Sequence, residues 1–325
     1  MAQSASSPNP IQPLSVGDVV TTGFRLYGAQ AKPFLLISLI ATLWVLVPFV
    51  AAFAIALFYV VTQDYYALLG LVIPAWVVLL LYCLGKYLAN SALISRLSFK
   101  ELINQPESLT DARRYTRSRV WSFLLVALVV TLIFLGITIA FYLAIAVLGF
   151  GAIAALGGFP GITTGNTNAA LAIILVLLFI LILIAAIVFF GWLSARLSAV
   201  ELPLAVEPET TALQSISRFW ELTKGNAWRV LLILFITFCI TLPIQLLAQF
   251  LVNTAEVIVA TVVPQESASA VAFQVLTLLL IYMMSFALGI ALLPLWQTVK
   301  AAIYFDLRNR REGLGLELRD RRLKE

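Results

Sequence analysis

The side chains with the clearest chemical signal are cations. Arg113, Arg114, Arg117 and Arg119 crowd into seven positions, and Arg218, Lys224 and Arg229 form a second, looser group. At such spacing guanidinium and ammonium groups bind phosphate or carboxylate, arginine as a planar fork and lysine as a point charge. Groups that could carry out a reaction are scarcer. The chain has no histidine, which removes imidazole acid–base catalysis, histidine metal sites and the usual hydrolytic triads. Cys83 and Cys239 are its only cysteines; they are too few for a zinc pattern and read as packing residues. No phosphate-loop or dinucleotide-binding glycine motif occurs. The stretch Gly149–Gly165 holds six glycines with no lysine or acid beside them, and reads as a flexible external turn. No metal and no cofactor is expected.

The carboxylates Glu101, Glu107, Asp111, Glu201, Glu207, Glu209 and Glu221 lie among basic residues, where solvated pairing is the expectation. Glu207-Pro208-Glu209 reads as a turn, and Asp306 as a local ion pair near Arg308 and Tyr304. One further polar constellation stands out. Gln245, Gln249, Asn253 and Glu256 follow Pro243 at spacings near multiples of a helical turn. This stripe could hydrogen-bond to a neighbouring helix or line the outer vestibule of a transporter. Gln245 lies about 24 Å beyond Arg229 along a helix, so the stripe belongs toward the far surface.

These groups must be positioned by a hydrophobic frame. The 325 residues are 62% hydrophobic and 11% charged, against roughly a quarter charged in soluble domains. Six apolar runs, near 34–61, 67–88, 120–148, 169–193, 230–251 and 272–299, each exceed the roughly 20 residues needed to cross about 30 Å of hydrocarbon. They lack the alternation of barrel strands, so helices are the expected form. The expected fold is all-α, with six transmembrane helices arranged as three hairpins.

All 21 lysines and arginines then fall on one side, and the loops joining runs one to two, three to four and five to six contain none. Lys86, about 29 Å into run two, reaches the same interface by snorkelling. Basic residues accumulate on the cytoplasmic side, so both termini are expected to be cytoplasmic. That face carries 21 basic against 13 acidic residues, which suits anionic headgroups. No nucleic-acid motif accompanies the charge. No secretory signal is expected from the opening residues; positions 1–13 read as disordered, 14–308 as the membrane domain and 309–325 as a basic cytoplasmic tail.

The chain reads as one pattern written three times: a short amphipathic helix, a membrane hairpin, a basic exit. Ser15 with Asp18, and Ser108 with Asp111, have capping-box spacing. Val16, Val19, Val20, Phe24 and Tyr27 share one helical face; Ala112 and Tyr115 follow the second cap. Leu213, Ile216, Phe219 and Trp220 form the third stripe, stopped at Gly225. The exits Ser95-Arg96-Leu97-Ser98 and Ala195-Arg196-Leu197-Ser198 match, and Lys300 with Tyr304–Arg308 is a looser third. Such helices either pack on the span ends or lie in the interface and bind headgroups.

The stretches Leu14-Ser15-Val16-Gly17-Asp18 to Tyr27, Trp220-Glu221-Leu222-Thr223-Lys224-Gly225 to Arg229, and Tyr304-Phe305-Asp306-Leu307-Arg308 to Leu314 carry a resemblance. Together they resemble stand-alone six-helix bacterial proteins related to the membrane domain fused to glycerophosphodiester phosphodiesterases. The resemblance implies an architecture and lipid-related biology. In the fused relatives catalysis belongs to a separate soluble barrel with histidines and metal-binding acids, so no hydrolase activity is implied for this chain. The resulting expectation is a non-enzymatic membrane protein, lipid-binding, membrane-organising or accessory to a partner protein. Arg113, Arg114, Arg117, Arg119, Arg218, Lys224 and Arg229 would form its headgroup collar. The alternative is a small-solute transporter or channel using Gln245, Gln249, Asn253 and Glu256.

Overall fold

The structure is a computed structural model that describes residues 14–63, 66, 68–158, 169–262 and 268–313. The expected disordered segment 1–13, most of the basic tail and the later part of the glycine-rich turn lie outside the described residues.

Helices run as α1 (Val16–Ala29), α2 (Ala31–Thr62), α3 (Ile73–Leu102, after a π-helical turn at Leu68–Val72) and α4 (Leu109–Ser118). They continue as α5 (Val120–Ala155), α6 (Ala169–Leu197), α7 (Glu201–Val206), α8 (Ala212–Leu222), α9 (Ala227–Val262) and α10 (Ala268–Glu312). No strand occurs among the described residues. Six helices are long and apolar enough to cross a membrane, which marks the chain as a multi-pass membrane protein. Several overrun the expected apolar limits: α3 passes residue 88 by a further 14 residues and α10 passes residue 299 by 13, ending at Glu312. At 1.5 Å per residue the 45-residue α10 is about 68 Å long, twice a hydrocarbon core.

Those overruns contain the core. Buried side chains concentrate at Ala89–Phe99 of α3, Val120–Val126 of α5, Leu193–Val206 and Leu295–Leu307 of α10. By contrast no described residue before Leu193 in α6, or before Pro294 in α10, is buried. The basic ends of the long helices are therefore packed like a soluble protein, and the far ends present apolar side chains outward. A lipid environment explains the difference, because apolar helices gain little by leaving acyl chains for one another.

The short helices complete the packed end. The Ser15–Asp18 capping box of α1 forms at 3.0 and 3.1 Å, and the Ser15 hydrogen bonds hold the Asp18 carboxyl below its usual range. Ser108 caps α4 through the Asp111 amide at 3.1 Å. α8 opens on a further capping box, Thr211 with Gln214. Its buried face is Ala212, Ser215, Phe219 and Leu222; Leu213, expected on the apolar stripe, is 61% exposed. α7 was not foreseen. Five of its six residues, Leu202–Val206, are buried where α3, α5, α8 and α10 meet.

The contacts close into a ring. α2 packs on α3, α3 on α4 and α5, α6 on α8 and α9, and α9 on α10. α10 then returns to α1 and α2. Between α5 and α6 the link is the edge-on pair Phe141–Phe190, centroids 5.9 Å apart. Within the first pair, the Trp76 indole donates to the Pro48 carbonyl at 2.8 Å, so the proline inside α2 is held by its neighbour.

The α1–α10 seam is the tightest approach. A Cβ on Gly23 would stand 2.5 Å from Val299 Cγ2 and 2.9 Å from Val299 Cα. Gly23→Ala should therefore push α1 off α10 and cost about 1–3 kcal/mol, read as a lowered thermal midpoint in detergent. Gly28→Ala on the same helix meets nothing within 4 Å and should leave the midpoint unchanged or slightly raised.

Candidate functional site

The packed end holds an interior polar layer, and each of its cations is bound differently. Arg96 is 6% exposed. Its guanidinium forks onto Glu107 at 2.7 and 3.0 Å, donates to the Ala205 carbonyl at 2.6 Å and stacks 3.8 Å from the Tyr115 ring centroid. Arg196, in the matching exit, uses an aromatic partner instead. It lies 3.8 Å from the Trp220 centroid and 5.3 Å from Trp192, and donates to the Trp220 carbonyl at 2.8 Å. Stacking on the ring quadrupole offsets part of the cost of burying the charge. Its Nε has no hydrogen-bond partner.

Glu207 organises the centre. Its carboxylate accepts from the Tyr304 hydroxyl at 2.7 Å and the Thr210 hydroxyl at 3.1 Å, and faces Arg218 at 3.6 Å. Its carbonyl accepts from Tyr115 at 3.0 Å and Arg119 at 3.4 Å. The turn expected at Glu207-Pro208-Glu209 forms, with Pro208 and Glu209 exposed, but the solvated pairing expected of Glu207 is corrected: it is the hub joining α4, α7, α8 and α10, because α7 carries it inward. Glu107 and Glu201 are likewise structural, the latter bound to Lys300 at 2.7 Å.

Asp306 ties the chain's first described residue to its last helix. Its carboxylate, 2% exposed, pairs with Arg229 at 3.1 Å and Arg310 at 3.0 Å, and accepts the Leu14 amide at 3.0 Å. Arg229 and Arg310 also both donate to the Leu14 carbonyl. The expected partner Arg308 pairs with Glu312 instead, at 2.8 Å. Helical geometry decides this, since residues two apart do not face each other whereas those four apart do.

The seven collar candidates consequently divide. Arg119 is spent on the carbonyls of Leu204, Glu207, Pro208 and Thr210. Arg218 pairs with Glu207 and Glu312, and Arg229 with Asp306. Arg113, Arg114, Arg117 and Lys224 are exposed. None of the four has a carboxylate in ion-pairing distance among the described residues.

Lys86 joins the free group. Its ammonium stands 5.2 Å from the Tyr82 centroid and 6.0 Å from Trp44, on the side facing Arg113 and Arg117 across a cavity of about 280 Å³. In the sequence Lys86 stands alone, as a snorkelling residue. The basic cluster and the lysine are 27 positions apart, and only the packing of α4 across α2 and α3 brings them together.

The Gln245–Glu256 stripe stays on one helix. Gln245 donates to Thr241 at 3.1 Å and Gln249 to Asn253 at 2.8 Å, both within α9. Gln249, Asn253 and Glu256 are exposed.

No family model, no curated protein and no solved structure matches the chain.

Removing one partner of the Arg96–Glu107 fork strands the other charge. Glu107→Gln should cost roughly 3 kcal/mol of stability, whereas Arg113→Gln, with no partner to strand, should move the unfolding midpoint little. Thermal denaturation of both variants in the same detergent compares them directly.

Proposed function

We propose that this chain is a non-enzymatic protein of a bacterial cytoplasmic membrane, with both termini inside, which binds anionic lipid through its basic face. Lipid binding serves membrane organisation, or the seating of a partner protein at that face. The observation that carries the reading is the sorting of the cations. Arg96, Arg119, Arg218, Arg229, Lys300, Arg308 and Arg310 are held by internal acids and carbonyls. Arg113, Arg114 and Arg117 share one short helix and have no acid partner among the described residues. A protein that needed those charges only for its own stability would pair them. Charges left unpaired beside apolar helix faces are matched by headgroup phosphate, at about 1 kcal/mol for each well-placed cation.

In this reading the fold is three hairpins, each entered through an amphipathic helix and closed by a basic exit. Each exit reaches the next entry helix: Arg96 the Tyr115 ring on α4, Arg196 the Trp220 ring on α8, and Asp306 with Arg310 the start of α1. The resemblance to the membrane domain linked to glycerophosphodiester phosphodiesterases belongs to this proposal and brings no catalytic role with it. For the transporter alternative, the α9 stripe satisfies itself along its own helix and supplies no second line of support.

Two outcomes are expected. Lipid co-purified in mild detergent should be enriched in anionic classes over the source membrane, and the triple variant Arg113→Gln, Arg114→Gln, Arg117→Gln should lose most of that enrichment. A lipid profile equal to the bulk membrane would sink the reading. Separately, a single cysteine at Thr110 or Ser217, in a chain with Cys83 and Cys239 replaced by alanine, should react with impermeant maleimide in inverted vesicles and not in intact cells. The opposite pattern would reverse the orientation.

A further inference from the structure

We infer that the cavity walled by Lys86, Arg113 and Arg117 is a discrete site for the phosphate of an anionic phospholipid. The inference rests on the lipid-binding reading and gives it an address. The cavity, about 280 Å³, lies where α2, α3 and α4 converge on the start of α5, and no acid lines it. Three cations therefore share one hollow without a counter-charge. None of the three pairs with a carboxylate among the described residues.

Like charges gathered in a partly dry hollow repel, and a bound anion relieves that repulsion. The rings of Tyr82 and Trp44, 5.2 and 6.0 Å from the ammonium, hold Lys86 at the rim through their quadrupoles. The Trp44–Tyr82 pair is itself fixed edge-on at 5.8 Å. Asn90, which also lines the hollow, donates to the Lys86 carbonyl at 2.8 Å.

The hollow's surroundings choose a lipid over a free phosphate ester. Next to Ile40 and Trp44 on the same face of α2 come Leu43 and Val47, 50% and 40% exposed, and one turn from Tyr82 on α3 comes Val78, 65% exposed. A phosphate among the cations thus has apolar helix surface leading away from it, along which acyl chains lie. On the other side Arg113 and Arg117 also border an open hollow with Thr110, Arg114 and Ser118. That gives the headgroup substituent beyond the phosphate a hydrated exit. Arg114 consequently ranks below Arg113 and Arg117 as a contributor.

The test uses the full chain in nanodiscs and follows quenching of Trp44 by bromine-labelled phosphatidylglycerol, with Trp44→Phe identifying its share of the signal. Bromine-labelled phosphatidylcholine is the zwitterionic comparison. Wild type should be quenched at lower mole fractions of the anionic lipid than of the zwitterionic one. Lys86→Gln and Arg117→Gln should each raise the half-quenching fraction about fivefold. Lys86→Arg should restore it, and Arg25→Gln, on the exposed side of α1 and outside the cavity, should change nothing. Rescue by Lys86→Arg excludes misfolding as the cause.

Equal quenching by the two lipids, or indifference to Lys86, overturns the site. If co-purified lipid is still enriched in anionic classes, the broader reading survives and the binding lies elsewhere on the face. If brominated phosphatidylglycerol fails to quench while glycerol 3-phosphate shifts Trp44 emission in a Lys86-dependent way in zwitterionic discs, the ligand is a soluble phosphate ester. The lipid assignment then falls.

Discussion

A guanidinium taken out of water has to be given partners, and this requirement shapes the whole packed end of the molecule. Apolar helices in lipid have little reason to prefer one another to acyl chains. What holds these six together is concentrated where they leave the hydrocarbon, at Arg96 with Glu107, Glu207 with Tyr304 and Arg218, and Asp306 with Arg229 and Arg310. Apart from Asp306–Arg310, which lies within α10, these links join one element to another, across as many as 97 residues for Tyr304 and Glu207. Hydrophobic burial then follows the same layer, with Tyr304, Phe99 and Phe219 fully buried against one another beside it.

The polar layer also explains why α7 exists. A six-residue helix is too short to be stable alone, and nearly all of this one is buried. Its carbonyls accept from Arg96, Arg119 and Tyr115, and its first residue, Glu201, pairs with Lys300. The helix supplies carbonyl acceptors to two cations, Arg96 and Arg119, near its C-terminal end, where the peptide dipoles favour positive charge. Ser215 reaches in from α8 and takes the Leu204 amide at 3.1 Å, so the plug is bonded at both its donors and its acceptors.

Cations of one chemical type consequently divide into two populations. Those anchored inward have fixed geometry and contribute to the fold. Those on the outer face of α4, with Lys86 beneath them, have position but no counter-ion among the described residues. The second population is where an external anion gains most, because it meets charge that the protein has oriented and not neutralised. The carboxylates follow the same division. Glu107, Glu207 and Asp306 are structural, while Asp111 serves only the cap of α4.

Composition and periodicity alone determined the helical class, the number of apolar helices and the capping of α1 and α4. These are local properties: a run of apolar residues is helical in hydrocarbon because its backbone must bond to itself, and Ser15 finds Asp18 within one turn. Partners were not legible. Nothing in the spacing of Arg113–Arg119 separates Arg119, which is bonded inward, from Arg117, which is free, since the two differ only in which way α4 rolls against α7. Asp306 met Arg229 and Leu14 across 77 and 292 residues, and Lys86 met Arg117 only because α4 folds back over α3. The tertiary structure decided which charges are consumed and which remain, because pairing depends on distance in space, and a chain with long helices separates that from distance in sequence.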